Sequence, residues 1–388
     1  MNRKHNLTLF FLGVVALGAI FTVACRKYKQ FQNVILVTGT ETDNIIKFTV
    51  ENTPAAMNVT ASATGIVSQD ITVNFAVDTS LVSQYNSQVN GNYFAAPANT
   101  YTISATSGVI KTGTNVSAPI TVTIVSFDSL RDGRSYLIPV TIKSVTGPLK
   151  VLETSRTVFL KIARVTLFNS IDLSNYNFYD IDTFATPITN ITQFTFEVKC
   201  YVNSWHTGNP PISRLCNWGP ADQTTFNLLR FGEAGSDTSQ LQWINSAGGM
   251  FSNTRFAKNT WYNISCVCDG STYKMYVNGN LDNSFAASGQ SFTWGALELG
   301  MSYAGYQNSQ RFLGRTAEIR FWNRPLSQTE IQQSLCGADP SAPGLVSYWK
   351  LNEGSGQTFY DATGNGRNIV WRKAAVVWNS DSTNKCAQ

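Results

Sequence analysis

Along residues 194–200 hydrophobic and polar positions alternate. Phe194, Phe196, Val198 and Cys200 fall on one face, Thr195, Glu197 and Lys199 on the other. A period of two is that of a strand with one buried face. Short runs of the same kind recur at 45–50, 71–77, 120–125 and 136–142, with Asp132-Gly133 as a turn signal before the last. Asp78 is placed to cap a short helical turn through Leu81, Val82 and Tyr85. Further on, 261–265 and 273–277 read as strands. The second leads into Asn278-Gly279, a tight-turn signal because both central residues need positive φ. Ser327-Gln328-Thr329-Glu330 is a capping box that opens one short helix, with Gly337 near its end. The pattern predicts an all-β chain with two strand sets, over 28–163 and 165–388. Residues 163–166 hold little Gly or Pro, so a short, stiff junction is expected. In the first set, repeated short strands and turns argue for an immunoglobulin-like β-sandwich.

Composition supports strands and narrows the chemistry. The 388 residues are 43% hydrophobic and 12% aromatic, but only 14% charged, well under the usual quarter. Two histidines occur, His5 and His206. A chain that loses His5 with a leader keeps one, too few for a multi-histidine zinc site and little to build a Ser/His/Asp triad from. The formal charge of +5 falls by two, to +3, once Arg3 and Lys4 leave with that leader. The dense basic cluster is Arg26, Lys27 and Lys29. This is no nucleic-acid footprint, and nucleic acid is not expected as a partner.

The N-terminus reads as an address. Arg3, Lys4 and His5 precede an uncharged run from Leu7 to Ala24, the layout of an export signal over residues 1–24. The run ends in Thr22-Val23-Ala24-Cys25. That ending resembles a bacterial lipobox, which implies lipidation of Cys25 and a membrane partner through a lipid anchor. The expected location is the outer membrane, with the surface or periplasmic face left open by the basic residues after Cys25. Removing the lipidated cysteine from the seven leaves Cys200, Cys216, Cys266, Cys268, Cys336 and Cys386. Their spacing imposes no pairing, and for Cys266 and Cys268, two apart on one strand face, buried thiols compete with disulfides.

Two resemblances follow from particular residues. The order Asp78-Thr79-Ser80-Leu81-Val82, Tyr85-Asn86, Tyr93, Pro97, Tyr101 and Tyr136-Leu137-Ile138-Pro139-Val140 is similar to an uncharacterised N-terminal domain of lipoproteins in glycan-foraging bacteria. It implies a spacer or presentation role. Trp261, Asp269-Gly270, Tyr276-Val277-Asn278-Gly279, Gly314 and the 326–331 helix come in the order of the laminin-G-like branch of the concanavalin A-like lectins and glucanases. The resemblance implies a jelly-roll β-sandwich after the immunoglobulin-like one. Residues 344–356 and 361–366 look like the segment that usually opens such a domain; here they are expected to supply a missing edge strand from the other end.

The same sandwich hosts glycanases that need paired carboxylates in a Glu-x-Asp-x-x-Glu run, about 5–5.5 Å apart when retaining. No such run occurs; Glu298, Glu318 and Glu353 stand alone, and no catalytic residue is assigned. A pyranose instead lies flat on an aromatic ring while its hydroxyls want amide, carboxylate and guanidinium groups. Trp205 and His206 in a Gly-Asn-Pro-Pro loop, Trp218 read as opening another loop, and Tyr303 and Tyr306 before Arg311 are the expected ligand-binding set. Trp261, Trp322 and Trp349 are read as core or strand positions. No cofactor is required. A structural calcium at the sandwich rim, which laminin-G-like relatives often hold, would fall to Asp180, Asp182 and Asp361; solvated turn acids compete with it. The expected function is glycan binding without cleavage, in capture or utilisation. A protein-binding, adhesion or structural module is the alternative, and a glycoside hydrolase with a non-standard site the second.

Overall fold

The computed structural model describes residues 33–388 except 132, 175–178, 223, 234, 302–308, 372–374, 381–384 and 388. Cys25, Tyr303 and Tyr306 lie outside the described residues. The chain runs through β1 (Val34–Val37), β2 (Ile45–Val50), β3 (Ala55–Val59), β4 (Ala61–Ala63) and β5 (Ile71–Val77) to α1 (Leu81–Val89). Then come β6 (Phe94–Ala95), β7 (Tyr101–Ile103), β8 (Ser107–Ile110), β9 (Ile120–Ile124), β10 (Tyr136–Thr146), β11 (Lys150–Val151) and β12 (Thr157–Leu167). One sheet has the order β2-β12-β10-β5-β8; β11-β1-β4 and β3-β9-β7 form two smaller ones. Their apolar faces close on one core that includes Ile35, Val73, Val122, Ile138 and Leu160. Alternation is clean in β5, whose Ile71, Val73 and Phe75 are buried. The result is the expected immunoglobulin-like sandwich. Tyr85 of α1 stacks on Phe159 of β12 at 4.3 Å, tying the helix to the sheet.

The second half contains β13 (Ser170–Asp172), β14 (Tyr179–Ile191), β15 (Phe194–Val202), β16 (Ser213–Gly219), β17 (Asn227–Phe231) and β18 (Leu241–Asn245). Next are β19 (Gly248–Phe251), β20 (Trp261–Cys268), β21 (Thr272–Val277), β22 (Asn280–Ala286), β23 (Phe292–Leu299), β24 (Gly314–Trp322) and α2 (Gln328–Gln333). β25 (Leu345–Trp349), β26 (Thr358–Phe359), β27 (Ile369–Val370), β28 (Trp378–Asn379) and β29 (Lys385–Ala387) complete the chain. One sheet has the order β22-β21-β20-β15-β24-β13-β28, and the facing one β14-β23-β16-β17-β18-β19. Between them lies a core rich in aromatics: Phe196 stacks on Trp218 at 3.9 Å and Trp294 on Phe321 at 4.1 Å. The capping box forms, with Ser327 accepting from the Glu330 amide and Glu330 accepting from the Ser327 amide. Asn278 and Gly279 take φ of 50° and 78°, as the turn requires. β25 pairs antiparallel with β24, so the late segment does supply an edge strand, burying Leu345, Tyr348 and Trp349.

β12 begins in the first sheet and ends beside the second domain. Its residues Val165, Thr166 and Leu167 pair with Ala387, Cys386 and Lys385 of β29. A disulfide joins Cys386 to Cys336, just after α2. Cys200, Cys216, Cys266 and Cys268 are buried free thiols; burial raises the Cys216 thiol well above its ordinary value, with Cys266 and Cys200 adding to it. The two halves also meet directly. Arg134 Nε donates to Asp339 at 2.5 Å and the Asn92 amide to Gln333 at 3.0 Å. Gly133, at φ 74°, packs so closely that a Cβ there would run into the Ala338 carbonyl.

The outer face of the first of these two sheets is therefore covered rather than solvated. Glu197, Lys199 and Arg320 point there and are 3%, 3% and 2% exposed. Glu197 accepts from Arg320 Nε at 2.9 Å, from Trp322 Nε1 at 2.8 Å and from Ser265 Oγ at 3.1 Å. A bulge shifts the β15–β24 register between Glu197 and Lys199 and puts Glu318 at φ 49°. Bulges re-aim side chains. Here the Glu318 carboxylate accepts from Tyr348 OH at 2.5 Å and from Arg320 NH1 at 3.4 Å.

Candidate functional site

The β14-β23-β16-β17-β18-β19 sheet turns Trp218, Leu229, Trp243 and Leu297 into the core. Alternation sends their neighbours to the other face. One row there is Glu298, Asn217, Leu228 and Ile244, set by the pairing of β23, β16, β17 and β18. A second row, past a bulge between Arg214 and Cys216, is Arg214, Arg230 and Gln242. These polar groups are paired in sequence: Asn217 Nδ2 donates to Glu298 at 2.8 Å, Arg214 Nε to Gln310 at 2.7 Å and Arg230 Nε to Gln242 at 2.8 Å. Arg230 also forms an ion pair with Glu233. Among the described residues Asn217 Oδ1 is buried without a hydrogen bond, and burying an unpaired acceptor is costly.

At one end of this face sits a rim built from residues 203–212 and 310–313. The amides of Asn203 and Ser204 both donate to the Leu313 carbonyl, at 2.9 and 3.2 Å. The Arg214 amide donates to the Gln310 carbonyl at 2.8 Å, and Ser213 Oγ to the Arg311 carbonyl at 3.2 Å. Gly232, at φ 70°, lets the turn after β17 close on Pro211, whose carbonyl a Cβ there would strike. On this rim Trp205 is half-buried, its ring 5.4 Å from Phe231. His206 is half-buried too, and its Nδ1 accepts from the Gly208 amide at 3.4 Å. Burial, then the Arg311 guanidinium, lowers the His206 pKa from its ordinary value, which favours the neutral ring. With Nδ1 accepting, Nε2 carries the hydrogen, and among the described residues it is buried without a partner.

Three of the predicted ligand-binding residues, Trp205, His206 and Arg311, thus meet at one rim. Tyr303 and Tyr306 fall in the segment that leads into Gln310, outside the described residues. Trp218 does not join them. It is 1% exposed, inside β16 and stacked on Phe196; the sequence reads as opening a loop here, but the strand runs on through Gly219. Trp322 and Trp349 are buried as expected. Trp261 is half-buried at the start of β20, 5.1 Å from Phe168 and 5.3 Å from Tyr201.

Asp361 does not fit a calcium ligand. It is buried, its Oδ1 accepts from the amides of Tyr348 and Thr363 and from Thr363 Oγ1, and its Oδ2 from the Arg367 amide. Its oxygens hold the 361–367 loop to β25. Asp180 and Asp182 are in β14, with side chains outside the description. Among the described residues no three His, Cys, Asp or Glu side chains gather as a metal site. The sequence reading missed Arg214, Asn217, Arg230, Gln242 and Gln310. The signal for Arg230 and Gln242 was present: each alternates with buried Leu229 and Phe231, or Leu241 and Trp243.

Residues 175–332 match the family model of the concanavalin A-like lectin/glucanases superfamily. The second domain is a concanavalin A-like domain. Residues 28–149 match the model of an N-terminal domain family. A candidate carbohydrate-binding protein from Bacteroides ovatus shares the fold with a TM-score of 0.54 at 19% identity, over 90% of this chain and 98% of that one. The heptameric SAP-like pentraxin of Limulus polyphemus aligns at 12% identity and a TM-score of 0.36, over 57% of this chain and 94% of its own. No curated protein gives a significant match. Within the concanavalin A-like domain, the rim and polar face lie on the sheet opposite the one that meets the first domain.

Proposed function

We propose that the protein is a carbohydrate-binding lipoprotein of the outer membrane that takes a glycan at this rim without cleaving it. The observation that carries the reading is the meeting of Trp205, His206 and Arg311 beside a row of amide, guanidinium and carboxylate groups. An aromatic face for the ring and fixed polar partners for its hydroxyls are what a pyranose needs. Glycan hydrolysis by a retaining route needs two carboxylates about 5–5.5 Å apart. The strands of this sheet carry Glu298, whose hydrogen bond to Asn217 gives it a structural use, and Asp180 and Asp182 of β14. The immunoglobulin-like sandwich would hold this face away from the anchor at Cys25.

Binding should be weak for a single sugar, because each hydroxyl exchanges a water for a protein partner at a net gain of about 0.5–1.5 kcal/mol. Screening plant, microbial and host glycans, followed by calorimetry, tests the reading. Trp205→Ala should remove most of the affinity while leaving the fold intact. If no glycan binds and a protein partner is captured instead, the interaction-module reading replaces it. Anchoring is checked separately: Cys25→Ala should release the protein from the membrane fraction or stop its processing.

A further inference from the structure

Between the two domains lies a cavity of about 150 Å³. Lys199 of β15, Arg164 of β12, Lys350 after β25, Glu318 and Tyr348 are among its walls, and Gly133 and Gly337 close it from either domain. Lys199 and Lys350 share these walls with one carboxylate, Glu318, and that carboxylate already accepts from Tyr348 OH and Arg320. Lys199 is the decisive group. It is 3% exposed, its ammonium lies 4.6 Å above the Phe168 ring, and among the described residues no carboxylate forms a salt bridge or hydrogen bond with it. A buried ion without a counter-ion is costly, far more so than a paired one. Burial accordingly lowers its pKa to about 8, with Arg320 adding to the shift and Glu318 and Glu197 opposing it. The space is large enough for a small anion and several waters, and the site is unrelated to the glycan rim.

We propose that this interdomain cavity binds a small oxyanion, with the charge held by Lys199 and supported by Lys350 and Arg164 at the edge. The oxyanion is a free inorganic one or the acid group of a sugar, since both present the same oxygens to an ammonium. Bound there, it touches strands of both domains and fixes their docking.

Calorimetry and thermal unfolding of the full chain test this, in a zwitterionic buffer with chloride at matched ionic strength as the reference. The probes are sodium sulfate, and glucuronate against glucose. Sulfate should bind and raise the melting temperature beyond chloride. Lys199→Met should weaken binding about ten- to a hundredfold, the loss of one charge-assisted hydrogen bond, and should abolish the extra stabilisation. Lys350→Gln, at a half-buried position, should weaken binding to a smaller extent and keeps the test alive should the Lys199 variant fail to fold. Binding of sulfate assigns the site to inorganic anions, and binding of glucuronate but neither sulfate nor glucose assigns it to sugar acids. Equal responses of wild type and both variants, or no binding by either anion, would overturn the proposal.

Discussion

Replacing Lys199 with Met should change how stability depends on pH, by an amount that the structure allows to be worked out. In the folded chain burial lowers this lysine from 10.5 to about 8. The side chain is 3% exposed, so solvent screening takes little from the effect. The drop from 10.5 to about 8, at about 1.4 kcal/mol for each pH unit, is roughly 3.5 kcal/mol. The folded pKa lies below the unfolded one, so between about pH 8 and 10.5 the unfolded chain binds more protons. Stability from this group therefore rises with pH across that window, and the cost of the buried charge is fully present below pH 8. Methionine carries no such cost. At pH 7 Lys199→Met should be the more stable protein by roughly 1–3 kcal/mol, the lower end allowing for the lost contact with Phe168 at about 0.5–2 kcal/mol. By pH 11 the advantage should vanish or reverse.

The assay is urea unfolding of both proteins from pH 7 to 11 in buffers free of sulfate and phosphate, which would pair with the lysine. The informative quantity is the difference between the two curves. Tyr348, whose hydroxyl burial and then Glu318 push well above its ordinary value, and the buried thiols titrate in both proteins and largely cancel. Glu197 on the same strand, Glu318 and Arg320 on β24, and Arg164 and Lys350 at the cavity edge are common to both as well. A difference that stays flat with pH would refute the reasoning, because the ammonium would then be as well solvated in the folded chain as in the unfolded one.

Other expectations rest on separate contacts. Glu197→Ala leaves the buried Arg320 guanidinium with only its longer ion pair to Glu318 among the described residues and removes the partner of the Trp322 indole N–H, and should lower the unfolding free energy by about 3 kcal/mol in denaturant titration. Trp218→Ala should cost about 3–5 kcal/mol by opening a cavity against Phe196, with glycan affinity per folded molecule unchanged, the reverse of the Trp205→Ala outcome. Cutting the chain after Gly337 should unfold the concanavalin A-like domain. It removes Leu345, Tyr348, Trp349 and Leu351, each worth roughly 1.5–3 kcal/mol when buried, together with the Cys336–Cys386 bond; an unchanged melting temperature would contradict this.

Local pattern was enough for the strands, the turn and the cap. The 194–200 alternation put Cys200 with the core residues. Asn278-Gly279 had one comfortable backbone conformation, and Ser327 with Glu330 could satisfy each other's amides across one helical turn. These depend on residues within a few positions of one another, so the chain carries them in plain order. What covers a face is another matter. Glu197 and Lys199 occupy positions that read as a solvated polar face, yet the segment after α2 and the first domain close over them. Trp218 read as the opening of a loop, but the facing sheet supplied Phe196. Asp361 read as a rim acid until β25 and its own loop took up its oxygens. Six cysteines allow many pairings, and the choice of Cys336 with Cys386 followed from β29 returning to pair with β12. Sequence determined which side chains share a face because periodicity is local; the tertiary structure decided which faces lose their water, because burial depends on chain segments far apart in sequence.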